Sequence, residues 1–184
     1  YAKWEALIAA FTRHVTERYG ADEVRSWYFE VWNEPNLTGF WMGHTDGKTE
    51  AEFAPLARAE YYKLYAASAR AVKSVDATYR VGGPATAGSG WIDETLAHCA
   101  EQKLPLDFVS THTYATMSGY LDESGHAGTV LSPDRQAVTA EVKGVRAKID
   151  ASPFAGAELH YTQRSTSYTP SEPIKESYHS DAFI

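Results

Sequence analysis

Apolar positions in the first part of the chain recur at three- and four-residue intervals. Trp4, Leu7, Ile8, Phe11, Val15 and Tyr19 form one stripe, which predicts a helix over residues 2–19 ended by Gly20. The period then shortens. Residues 26–33 (SWYFEVWN) are aromatic and β-branched and stop at Pro35, the pattern of a buried strand in which Glu30, Trp32 and Glu34 share one side. Residues 36–54 read as a long loop carrying Phe40 and Trp41. Helical spacing returns over 55–75, with Pro55 in the first turn. Residues 79–83 predict a short strand broken by Gly82, Gly83 and Pro84, and 91–102 a helix. Residues 106–112 predict a third strand, 115–131 a second long loop, and 133–149 a helix with Ser132 as N-cap. Residues 157–162 read as a fourth strand, and 177–184 as the start of a last helix.

Strict alternation of helix and strand predicts an α/β fold with parallel strands and crossover helices. The long loops follow the first and third strands, at the carboxyl ends where parallel sheets build their sites. No glycine-rich phosphate motif follows the first strand and no GxxxxGK[ST] occurs, which removes the dinucleotide and P-loop readings. With 43% hydrophobic and 22% charged residues the chain is a folding sequence rather than a disordered one. No apolar run approaches the roughly 18 residues of a membrane span. A net charge of −7 without a basic cluster argues against nucleic acid. Cys99 is the single cysteine, so no intrachain disulfide forms, and a reducing, cytoplasmic setting is favoured. No basic segment followed by an apolar stretch marks a secretion signal. The histidines show no His-x₃-His spacing, so neither a metal nor a cofactor is expected.

The segment that points to chemistry is residues 27–36 (WYFEVWNEPN), which sets Asn33 and Glu34 at the exit of an apolar strand. A lone glutamate ending a strand is usually only a polar terminus. An Asn-Glu-Pro triplet among aromatics, at the end where substrates bind, points to acid/base work. Asn36-Leu37-Thr38 matches a glycosylation sequon, but its place beside the site argues against modification. Glu158 lies five positions before the carboxyl end of its strand and reads as a structural or surface residue.

Trp-Asn-Glu-Pro-Asn after a strand resembles the acid/base motif of the large glycosidase clan with glutamates on barrel strands 4 and 7. FEVWNEPNL, YYKLYAASARAVKSVDATYRVGGPAT, DFVSTHTY and ELHYTQRSTSY together resemble glycoside hydrolase family 39, and most closely its bacterial β-xylosidases. The resemblance implies a partial (β/α)₈ TIM barrel, strands 4 to 7 with their helices. Residues 1–184 would form one segment of a catalytic domain that lacks strands 1–3, strand 8 and any accessory β-domain. It implies a retaining hydrolase acting on xylosides or xylo-oligosaccharides, with a carbohydrate as its partner. Glu34 would be the acid/base, Asn33 would bind the sugar 2-hydroxyl, and His112 and Tyr114 would line the subsite. Tyr114 would donate toward the nucleophile, and Phe40 and Trp41 would offer apolar faces to the sugar ring.

One position departs from that pattern. The resemblance places a nucleophilic glutamate where this chain has Gln163, followed by Arg164 in place of an apolar ring. An amide cannot form the glycosyl ester, so hydrolysis is expected to be impaired; in other hydrolases such losses reach on the order of 10⁴–10⁶. The alternatives are a catalytically silent sugar-binding relative, a non-functional barrel fragment, or an endo-acting member of the same clan. A half-barrel leaves two strand edges open, so self-association or pairing with the missing half is expected.

Overall fold

The computed structural model describes residues 1–41, 49–114, 116–121 and 127–168, with the side chains of Glu50 and of 117–131 left undescribed. The predicted helix at 177–184 and the middle of the 36–54 loop lie outside the described residues.

Helix α1 spans Ala2–Tyr19 and ends at Gly20, whose φ of 87° suits a residue without Cβ; α2 follows at Ala21–Val24. Strand β1 is short, Tyr28–Glu30. Helix α3 runs from Glu50 to Val75, starting five residues earlier than Pro55 suggests. The start is set by Thr49, whose backbone N–H is accepted by Glu52 at 2.8 Å, so Pro55 lies inside the helix. Strand β2 (Arg80–Ala87) does not break at Gly82-Gly83-Pro84 but runs through them. A Cβ on Gly82 would lie 2.2 Å from the carbonyl of Phe108, so this glycine lets two strands approach closely. Pro84 is tolerated in an inner strand because the register with the next strand slips between Pro84 and Thr86.

Helix α4 is Ile92–Glu101 and strand β3 Phe108–Tyr114. The segment read as a long loop contains an antiparallel pair, β4 (Thr116–Leu121) and β5 (Ala127–Leu131). Helix α5 (Ala137–Asp150) begins after Gln136 rather than Ser132. Ser132 Oγ instead accepts Asp134 N–H at 3.2 Å and Asp134 Oδ1 accepts Gln136 N–H at 2.8 Å, a pair of local turns that delays the helix. Strand β6 is Glu158–Ser165.

The main sheet has the order β1-β2-β3-β6, every pairing parallel. Its convex face carries the core: Val81 and Val109 are buried there with Tyr61, Tyr65, Ile92, Leu96 and Ile149 of the helices, and Phe29 and Leu159 pack against them. The concave face is braced from edge to edge. Tyr28 Oη donates to Glu158 Oε2 at 2.7 Å, Thr162 Oγ1 to Glu30 Oε1 at 2.7 Å, and Gln163 Nε2 to Asn33 Oδ1 at 3.0 Å. In a flat sheet β1 and β6 would lie about 14 Å apart, three strand spacings of ~4.8 Å. Side chains bonded across that gap require the sheet to curl into half of a barrel. No described helix is long and apolar enough to cross a membrane.

Candidate active site

The site lies at the carboxyl ends of β1, β3 and β6. Beyond Glu30 the alternation of β1 fails, because Trp32 and Glu34 adopt φ of 70° and 46°. The expected shared side of Glu30, Trp32 and Glu34 is therefore lost. Trp32 swings toward Trp4 and Trp41, with ring centroids at 6.4 and 5.6 Å, and its indole N–H donates to the carbonyl of Phe40. Glu34 turns the other way and is buried, 6% exposed.

Left-handed backbone at two non-glycine residues is costly and persists only where neighbours enforce it. Three backbone contacts do so. Val31 N–H donates to Gly82 O at 3.0 Å, Glu34 N–H to Ala85 O at 2.8 Å, and the Tyr61 hydroxyl to Val31 O at 3.1 Å. Asn36 adds a two-point clamp, its Nδ2 donating to Ala87 O and its Oδ1 accepting Ala87 N–H, both at 3.0 Å.

His112 is 1% exposed, and its Nδ1 lies 2.8 Å from Glu34 Oε1. It reaches that position because the register of β3 with β6 slips between Thr111 and His112, re-aiming the side chain. Tyr114 Oη donates to Gln163 Oε1 at 3.0 Å. Burial first, and then the nearby charge of Glu34, push the Tyr114 phenol above its ordinary value, so it stays a donor. The donation fixes the carboxamide, whose Nε2 faces Asn33 Oδ1. The result is a pair, Glu34 with His112, and a chain of three, Gln163 between Tyr114 and Asn33.

Asn33, Glu34, His112, Tyr114 and Gln163 are thus brought to one end of the sheet. Phe40 and Trp41 are placed elsewhere. Trp41 packs edge-on to Trp32 and, at 6.4 Å, to Tyr61, and it joins the helix-side core, while the Phe40 ring is exposed. Arg164 is exposed on β6, so it carries none of the requirements of a buried cation. Glu158 sits at the opposite end of β6, with Tyr28 and His160. Tyr61 and Asn36 support the site but carry no sequence signal for it beyond a helical stripe and a tripeptide. A further link joins Glu141 of α5 to Ser89 and Thr113. Among the described residues no three His, Cys, Asp or Glu side chains converge as a metal site.

Consecutive parallel strands with helices on the outer face, and a buried glutamate at a strand exit facing polar side chains of two other strands, define half of a (β/α)₈ barrel. The model of glycosyl hydrolases family 39 matches residues 1–184, and the chain belongs to that family. It is 42% identical to a β-xylosidase of Geobacillus stearothermophilus, covering 100% of this chain and 35% of that protein. Among solved structures it is similar to the GH39 enzyme from Xanthomonas axonopodis pv. citri, with a TM-score of 0.88 and 48% identity, covering 100% of this chain and 34% of that one. A monomeric β-xylosidase from Caulobacter crescentus gives a TM-score of 0.87 at 47% identity. The chain spans about a third of the length of these relatives.

Proposed function

We propose that the chain is the central segment of a retaining glycoside hydrolase of the β-xylosidase type, acting on xylosides or xylo-oligosaccharides, with hydrolysis impaired by Gln163. The observation that carries this reading is the contact between Gln163 and Asn33 beside buried Glu34. It sets an amide within hydrogen-bond reach of the acid/base motif, where a retaining mechanism requires a second carboxylate about 5–5.5 Å from the first.

In this reading Glu34 protonates the glycosidic oxygen and Asn33 holds the 2-hydroxyl. His112 and Tyr114 border the sugar. The amide oxygen of Gln163 is too poor a nucleophile to form a stable ester at the anomeric carbon. The test is turnover of an aryl β-xyloside by the chain and by Gln163→Glu. A gain of about 10³-fold or more is expected, and equal rates would sink the reading.

A second reading follows from the same residue: a sugar-binding protein without turnover. Xylose or xylobiose binding with no product, in a chain that Gln163→Glu does not revive, would favour it. The reading places the partner surface at the two open edges of the sheet. There the remaining barrel strands, or a second copy, would pair with the edges of β1 and β6.

A further inference from the structure

We propose that Glu141 of α5, on the helix side of the sheet, is a positioning residue that holds His112 against Glu34. Its meaning for catalysis rests on the reading above, in which Glu34 is the acid/base; its effect on the buried pair does not.

Glu141 has a fixed base. It shares a helix face with Val145 and Ile149, at four-residue spacing, and both of these are buried in the core. Its carboxylate accepts from two hydroxyls on two other elements, Ser89 Oγ after β2 and Thr113 Oγ1 on β3. A charged acceptor makes such bonds stronger than a neutral one does. Removing this one side chain therefore releases two segments at once.

Both segments lead into the site. Thr113 separates His112 from Tyr114, and strand alternation turns it to the helices while its neighbours reach Glu34 and Gln163. Ser89 belongs to the turn that joins the two halves of the site. There Asn36, two residues past Glu34, clamps Ala87 through two bonds, and Gly88 N–H donates to His112 O at 3.0 Å. Ser89 follows with a φ of 53°, a left-handed conformation that is costly for a residue with a Cβ and lasts where a contact enforces it. Glu141 supplies that contact. The bonds close a ring: from the Glu34 segment through the turn to His112, then from Thr113 through Glu141 back to the turn. The Glu34–His112 contact spans 2.8 Å. Hydrogen bonds end near about 3.5 Å, so a displacement of about 0.7 Å breaks it.

The test records the imidazole nitrogens of His112 by ¹⁵N NMR, in the full chain and its variants at one pH. Glu141→Ala should move the Nδ1 resonance toward that of an unpaired imidazole. Glu141→Gln keeps an acceptor oxygen for one hydroxyl and offers a donor to the other, and should restore much of the shift. Ser89→Gly separates position from stability. It removes one hydroxyl together with the left-handed penalty, so its thermal midpoint should move little while Nδ1 moves. Asp150→Ala breaks the Arg146–Asp150 pair on the same helix and should leave Nδ1 in place. In the Gln163→Glu background, Glu141→Ala should lower kcat for an aryl β-xyloside about tenfold or more with KM held. An unmoved Nδ1 in folded Glu141→Ala, or in Ser89→Gly where Glu141→Ala does not fold, would overturn the proposal. So would an equal shift in Asp150→Ala, or an unchanged kcat in a background that turns over. If Gln163→Glu is itself inactive, the reading above fails, and Nδ1 still decides the role of Glu141.

Discussion

His112 and Glu34 form a buried pair across two strands, 78 residues apart in sequence and 2.8 Å apart in space. Glu34 lies beyond the end of β1 and His112 within β3, so alternation along one ladder does not place them. The left-handed turn at Glu34 and the register slip at His112 do so together.

Removing the imidazole leaves a carboxylate with little solvent and no partner. His112→Ala is expected to lower stability by about 3 kcal/mol, the scale of a broken buried pair. His112→Asn, whose Nδ2 can replace Nδ1, should recover at least half. Urea unfolding of the three chains measures both differences, and an unchanged midpoint for His112→Ala would refute the role.

Two glycines separate close approach from helix propensity. Gly82→Ala would drive a Cβ to 2.2 Å from a backbone carbonyl and 2.7 Å from the Phe108 ring, so a loss of about 3 kcal/mol or misfolding is expected. Gly144→Ala in α5 meets nothing within 4 Å and should stabilise by about 0.5–1 kcal/mol. Thermal melts should move in opposite directions.

The Asn36 clamp ties the residues after Glu34 to the end of β2. Asn36→Ala strands the N–H of Ala87 in a half-buried place and leaves its carbonyl with Gly90 N–H alone, at 3.2 Å, at a cost of about 2 kcal/mol. Amide exchange of Ala87 should accelerate with it, while exchange in α5 stays unchanged.

Acid sensitivity should run through Asp76. The hydroxyl and N–H of Thr78, and then the Arg25 guanidinium, hold its carboxyl below the ordinary range. A carboxyl lowered by folding contributes stability at pH values above its unfolded value, and that contribution disappears as pH falls through the folded one. The Tm difference between the chain and Asp76→Asn should be present at about pH 6 and shrink below about pH 4. A difference independent of pH would contradict the assignment.

Period and punctuation made the parallel half-barrel legible. The α1 stripe and the alternation of elements carry enough signal to place the sheet and helices. The start of α3 was obscured because Pro55 is a stronger local cue than the pairing of Thr49 with Glu52. The continuity of β2 was obscured because glycines read as breaks when they serve close approach to Phe108. The 115–131 segment hid the β4–β5 pair because its polar composition resembles loop. At the site, Glu34 and position 163 stand out as residue types in a motif. The roles of Tyr61 and Asn36 depend on contacts with backbone far away in sequence, which no local pattern encodes.

The brace between Asn33 and Gln163 has a consequence for affinity. In the proposed function both amides lie where a sugar's hydroxyls would seek partners, so the protein would carry its own occupant of that subsite. A ligand that parts them must first forfeit about 1 kcal/mol, a handicap of about fivefold in Kd. Variants that shorten either side chain would relieve that self-inhibition while losing the contacts it guards.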